Sequence, residues 1–342
     1  MLIFTISDDI QQEEYDCVPI MQLVFQWTYK CNMELTNRFF KRELIICTKN
    51  PYDGKQLNGY AAQINGWWKS EYTELFIKKG VKHLFLNTAL GWRCDNYDFL
   101  TSLPSIETLV LVEEREMSLK RIESLKKLRN LEITTPYCYD IDFSIFKHLE
   151  SLFCSAERPI PSVFQCTSLK ELYLDEFKLG DKHQLSQLLN LESLTIGYSN
   201  LTNLNFLHSL PNLKKLTLYN NRLITDFSPI STLIHLNWID LRGLKNLHTI
   251  DFLEGLKKLN VLLLESGAIG SIHPIRNHQE LKAISLTGSK FHIIDGDLTP
   301  ISTLSNLSML FINNRKTYNA YINNLWNWDN YGKPRYDWLS LL

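Results

Sequence analysis

One spacing constrains this chain more than any other feature: an apolar residue, two others, an apolar residue, one other, and a third apolar residue. It begins at Val81-Leu84-Leu86 and Ile106-Leu109-Leu111, and it ends at Leu281-Ile284-Leu286 and Leu307-Leu310-Ile312. Eleven copies start 20 to 26 residues apart, a mean period of 22.6. The second and third apolar residues are two apart, so both point to one face of a short extended segment. A strand that short cannot bury its face alone. Stacked side by side, eleven of them form a parallel sheet over one shared core. About a dozen residues separate successive patterns, which suits short 3₁₀ turns better than full helices. Leucine marks where the array begins: residues 1–80 hold 6 and residues 81–312 hold 47.

The return segments also recur. Asp98-Phe99-Leu100, Asp142-Phe143, Asp226-Phe227-Ser228-Pro229-Ile230 and Asp251-Phe252-Leu253 read as equivalent, with Asn205-Phe206-Leu207 as a variant. The Asp or Asn is expected to cap a helical turn, and the Phe with its Ile or Leu to fill the far side of the core.

A fixed period in this range with this spacing is the leucine-rich repeat signature. The run from Leu213 to Leu223, followed by Asp226 to Leu233, resembles the internalin-like class of leucine-rich repeats, which includes a eukaryotic phosphatase regulator. The resemblance covers about two-thirds of the chain. It implies an α/β solenoid, a horseshoe with a parallel β-sheet on its concave face and mostly short 3₁₀ turns on its convex face. The class usually places Asn eight residues after the first apolar residue, tying successive turns together. Here those positions run Ala89, Glu114, Pro136, Glu157, Phe177, Ser199, Asn221, Leu244, Gly267, Ser289 and Arg315. A single Asn predicts an irregular array.

Three segments follow: residues 1–80 as an N-terminal cap or small α/β region, 81–315 as the repeat array, and 316–342 as an aromatic C-terminal cap. In the first, Leu44-Ile45-Ile46-Cys47 reads as a strand and Asp53-Gly54 as a turn. Tyr72 to Gly80 reads as a helix or strand that stops at the glycine. The last segment holds Tyr318, Tyr321, Trp326, Trp328, Tyr331, Tyr336 and Trp338, enough to cover a final repeat, the favoured reading, or to form a sticky surface.

The net charge is −1 and evenly spread, which excludes a strongly basic nucleic-acid binder. The apolar start is too short for a signal peptide and meets Ser7-Asp8-Asp9 at once. No stretch reaches membrane-span length. Seven Cys without a CxxC pair indicate neither a disulfide framework nor a zinc ribbon, so the chain is expected in the cytoplasm with reduced thiols. Cys154 occupies a core position, and nothing in the spacing of Cys17, Cys31 and Cys47 brings them together. No nucleotide loop, zinc-protease motif or nucleophile elbow is present. Asp295-Gly296-Asp297 reads as a loop turn rather than a calcium site, and His273 and His278 as loop surface. No cofactor or metal and no catalytic residue is expected.

The informative positions are those that point away from the core, at offsets 2, 4 and 6 from the first apolar residue. They carry Phe153, Tyr173, Asp175, Tyr219, Trp238, Asp240, Arg242 and Glu265. Exposed aromatics beside unpaired acids match the composition of protein interfaces. Trp238, Asp240 and Arg242 lie on one strand, with Tyr219 and Tyr173 on the same face. The sequence therefore predicts a non-enzymatic scaffold that binds another protein on its concave face, with no nucleic acid, membrane or small-molecule substrate as partner. An inhibitor, such as an immunity protein masking a toxin, is the sharpest version. The alternatives are a regulatory subunit of an enzyme such as a phosphatase, an enzyme with its site in residues 1–80, and an exported adhesin of internalin type.

Overall fold

The computed structural model describes residues 2–4, 43–135, 137–155, 158, 160–178, 184–265, 267–313 and 315–319. Cys17, Cys31 and the aromatic segment beyond Asn319 lie outside them. The chain divides into two compact units. One holds the described residues of 12–191 and 195–199, and the other those of 1–11, 192–194 and 200–342.

In chain order the first strands are β1 (Leu2–Phe4), β2 (Leu44–Lys49) and β3 (Gln56–Ile64). All eleven spaced patterns then form strands. They are β4 (Val81–Asn87), β5 (Thr108–Val112), β6 (Asn130–Thr134), β7 (Ser151–Ser155), β8 (Glu171–Asp175) and β9 (Ser193–Gly197). They continue as β10 (Lys215–Tyr219), β11 (Trp238–Arg242), β12 (Val261–Glu265), β14 (Ala283–Thr287) and β16 (Met309–Ile312). Two-residue strands β13 (Ala268–Ile269) and β15 (His292–Ile293) pair with each other.

In the first unit β3 to β8 pair in parallel, each strand with the next, and β2 closes the edge antiparallel to β3. In the second unit β10, β11, β12, β14, β16 and β1 pair in parallel in that order. Within the repeats the register matches offset to offset, as in Leu216↔Ile239↔Leu262. The inward residues are fully buried: Leu216, Leu218, Ile239 and Leu241 each expose 0%.

The residues just before the array do not stand apart from it. The segment read as helix or strand is a helix, α1 (Glu71–Lys79), with acids in its first turn and lysines in its last, matching the helix dipole. Gly80 adopts φ 65° and turns its N–H back to Ile77 and Phe76, a left-handed stop that suits glycine. The β2–β3 turn closes through Gly54 N–H to the Asn50 carbonyl at 2.9 Å. It lays Tyr52 edge-on against Phe85, ring centroids 5.3 Å apart.

The returns are short 3₁₀ turns in most repeats, including Asp98–Ser102, Lys120–Ser124, Asn205–Ser209, Ser228–Thr232 and Asp251–Leu253. The second α-helix of the described residues, α2 (Thr299–Ser302), is a single turn. The Asp–Phe pairs are not equivalent, contrary to the sequence reading. Aligned on the buried residues Leu100, Leu207, Ile230 and Leu253, Asp98, Asn205 and Asp251 start their turns, whereas Asp226 lies two positions earlier. Asp226 caps as expected, its Oδ1 accepting from Ser228 N–H at 2.9 Å, and Asp142 caps through Ser144 N–H at 3.0 Å. Asp98, Asn205 and Asp251 are instead capped, by Asn96, Asn203 and Thr249 two residues before them. The hydrogen-bond acceptor has to sit two residues before the N–H it satisfies, and several side chains serve there.

At the expected Asn position, Phe177 and Leu244 are buried apolar residues and Asn221 is fully buried, while Ala89 and Ser289 are exposed. One residue earlier the chain turns its corner. Glu176, Tyr198 and Asn220 have φ of 54°, 46° and 54°, and Gly243 and Gly288 have 59° and 110°. The corner thus asks each of these repeats for a left-handed residue, and only some supply the glycine that adopts it freely.

Candidate functional site

Parallel pairing in register brings equal offsets into rows on the outward face of each sheet. In the first unit the central row is Phe85, Val110, Glu132, Phe153 and Tyr173. Its start is not open. Phe85 and Val110 are buried with Ala61, and Cys47, Tyr52 and Leu57 of the β2–β3 hairpin pack over them. Beyond the hairpin the row opens. Phe153 and Tyr173 are half-buried and stack face to face, centroids 4.2 Å apart and rings 20° from parallel. Asp175, half-buried, stands two residues further along β8.

Glu132 sits between Val110 and Phe153. Among the described residues its carboxylate has no hydrogen-bond or ion-pair partner. Burial alone pushes it up from the usual carboxylate range to about 7. The spacing places Glu132 in the outward row without distinguishing it. The available signal was the apolar character of the same offset in both adjacent repeats.

In the second unit the outward row contains Thr217, Asp240, Leu263, Ser285 and Phe311, and the next row Tyr219, Arg242, Glu265 and Thr287. Trp238, Asp240 and Arg242 do share the face opposite Ile239 and Leu241. They are not the exposed aromatic beside an unpaired acid that the sequence suggests. Trp238 exposes 7%, Tyr219 4% and Asp240 1%. Arg242 closes on Asp240 with two donors, Nε to Oδ1 at 2.6 Å and Nη2 to Oδ2. Lys215 lies over the Trp238 ring, its Nζ 5.9 Å from the centroid. In a parallel sheet large side chains at one offset stand one strand apart and shield each other, so alternation gives direction without giving exposure. Burial raises the Asp240 carboxyl above its ordinary value despite the Arg242 contact. Glu265 is half-buried, in register with Arg242.

Other side chains singled out from sequence have structural placements. His278 is fully buried rather than on a loop surface, because it takes the core position that Leu103, Leu210 and Leu233 take after their 3₁₀ turns. Its Nε2 lies 2.8 Å from the Leu253 carbonyl, so that nitrogen carries the proton, and burial lowers its pKa. His273, on the surface, meets Asp297 at 2.9 Å. Asp297 also caps α2 through Thr299, so Asp295-Gly296-Asp297 is a loop that starts a helix. Cys154 is a core residue, its Sγ 3.3 Å from that of Cys138. Among the described residues no group of His, Cys, Asp and Glu is arranged to hold a metal ion, and no helix is long and apolar enough to cross a membrane.

Sequence reasoning missed the polar cluster at Glu113. The Tyr97 hydroxyl donates to it at 2.6 Å, and Arg115 donates from Nε at 2.9 Å and Nη2 at 2.8 Å. Burial pushes the Glu113 carboxyl up, and Arg115 and Tyr97 together outweigh it and hold the group below its ordinary value. Arg115 also reaches the Cys94 carbonyl at 3.0 Å, pinning one repeat to the preceding loop. Nearby, Trp67, Trp68, Asp95, Asn96 and Phe99 line a shallow cleft of about 230 Å³. The Cys94 thiol beside it is pushed by burial up to about 11, too high for a reactive nucleophile.

No protein-family model matches the sequence, and no curated protein does. Solved structures match its fold. A leucine-rich repeat protein of Leptospira interrogans aligns with a TM-score of 0.52 at 21% identity, over 71% of this chain and 63% of that one. The fold is a leucine-rich repeat solenoid. An internalin of Listeria monocytogenes aligns at 19% identity with a TM-score of 0.48, over 68% of this chain and 74% of that one. TLR13, solved in complex with a single-stranded RNA, aligns at 22% identity with a TM-score of 0.47, over 73% of this chain and 38% of that one. As a leucine-rich repeat array the chain presents two kinds of outward surface. One is the open aromatic row at β7 and β8, and the other is the closed row around Asp240.

Proposed function

We propose that this leucine-rich repeat chain is a non-enzymatic scaffold that binds another protein through the outward face of its strands, centred on β6 to β8. The stacked, half-buried pair Phe153 and Tyr173 carries the reading. Neither ring is needed by the core beneath, whose inward residues on these strands are Leu152, Cys154, Leu172 and Leu174. Rigid aromatics that keep an open edge are the usual anchors of protein interfaces. The finer version is an inhibitor that acts by occupying its partner, as an immunity protein does, in the cytoplasm where thiols stay reduced. Its support is the sequence, which holds no recognised catalytic motif. Trp238 and Asp240 are not its hot spot, since both are closed in.

Partner capture from the native cell, followed by titration calorimetry, tests the reading. Phe153→Ala and Tyr173→Ala should each weaken binding by about tenfold or more, the effect of roughly 1.4 kcal/mol at a hot spot. Leu223→Ala and Ile234→Ala, at residues exposed on the turns, should leave it unchanged. Unaltered affinity in folded Phe153 and Tyr173 variants would move the binding surface elsewhere.

A further inference from the structure

The outward positions of β4 to β8 carry three carboxylates, Glu132, Glu171 and Asp175, and no lysine or arginine. Glu171 accepts from the Ser151 hydroxyl at 3.2 Å. Glu132 differs from both of its neighbours in the row, for it is a half-buried acid between Val110 and Phe153, and its carboxylate has no hydrogen-bond or ion-pair partner among the described residues. A carboxylate partly shielded from water and without a partner gains from a cation that pairs with it. Beside it stands the stacked wall of Phe153 and Tyr173. On its other side the hairpin brings in Tyr52, whose hydroxyl lies within electrostatic reach of Glu132 and adds no positive charge.

A carboxyl group without a cationic partner, set next to an aromatic face, is complementary to one protein side chain above others. A guanidinium is planar, pairs two N–H groups with a carboxylate and stacks on aromatic rings, and it loses less hydration than an ammonium when buried. We propose that Glu132 is the receptor for an arginine of the partner protein, whose guanidinium pairs with the carboxylate and lies against the Phe153 and Tyr173 rings. This rests on the reading that the outward face binds protein, and it names the chemistry that the partner has to present.

A random peptide library panned on the immobilised full chain tests it. The wild type should enrich arginine-containing peptides. Glu132→Gln, the same shape without the charge, should lose that enrichment, and Glu132→Lys should select acidic residues instead. For the best wild-type binder, replacing its arginine by alanine should cost at least tenfold in calorimetric affinity against the wild type and less than twofold against Glu132→Gln, the mark of direct coupling. Circular dichroism confirms that each variant is folded. Peptides that bind without arginine, or an arginine that matters equally to the wild type and Glu132→Gln, overturn the inference. If that binding is lost in Tyr173→Ala, the face remains a binding face and only the arginine is wrong. Peptides that ignore Phe153→Ala, Tyr173→Ala and Glu132→Gln alike, or no enrichment at all, overturn both readings.

Discussion

Asp240 and Glu132 hold the same offset in different repeats, and their neighbours give them opposite fates. Asp240 has Arg242 two residues along its own strand and is closed by it. A buried pair like this gives back in attraction about what its desolvation costs, whereas a lone survivor is strongly unfavourable. Asp240→Ala should therefore destabilise by roughly 3–5 kcal/mol in denaturant titration, while the joint change of Asp240 and Arg242 to leucine should cost far less. Equal losses in the two variants would show that the pair is not coupled. Glu132 has no such neighbour. Its folded pKa, raised to about 7, means that the folded chain holds this proton more tightly than the unfolded chain does. Its contribution to stability is complete below the unfolded carboxyl range and is lost as pH rises through about 7. Glu132→Gln should accordingly melt higher than the wild type at pH 8 and at about the same temperature at pH 4. A wild type as stable as the variant at pH 8 would mean that the carboxylate is solvated.

At the scale of the element, the corner after each strand decides which residues are replaceable. Gly243 has φ 59°, and a β-carbon there would collide with the Oδ1 of Asn220, the corner residue of the repeat before it. Gly243→Ala should cost roughly 1–3 kcal/mol, through strain and a displaced Asn220, measurable by thermal or urea unfolding. Gly255→Ala, with open space around it, serves as control. An unchanged midpoint for Gly243→Ala would mean that the corner relaxes freely. The strands were legible in the sequence because few folds besides a stacked parallel array repeat a two-residue apolar step at a period near 22, and each of the eleven patterns forms a strand. The turns were legible in kind and not in register. Asp-Phe pairs look alike on paper, yet Asp226 caps its turn whereas Asp251 begins one. The deciding property is distance to the buried Ile230 or Leu253, which the local motif does not display. His278 escaped for a related reason, since a histidine in a leucine's place reads as surface until the neighbouring carbonyl is seen.

At the scale of the molecule, each repeat depends on the ones beside it, because no strand covers its own inward face. Leu216→Ala should cost roughly 2–5 kcal/mol, as for a fully buried leucine, and a loss under 1 kcal/mol would contradict a packed array. The binding face was legible in direction only. Alternation correctly turned Trp238, Tyr219, Phe153 and Tyr173 outward, but exposure depends on which residues the neighbouring repeats set beside them. That moved the open surface from β11 to β7 and β8 and brought Glu132 into it. Whether function lies on this outward row is read most directly by oxidative footprinting of the chain, free and bound to its captured partner. Phe153 and Tyr173 should become protected on binding while Leu223 and Ile234 stay as reactive as before; protection confined to Leu223 and Ile234, with Phe153 and Tyr173 unchanged, would contradict a binding face on the strands.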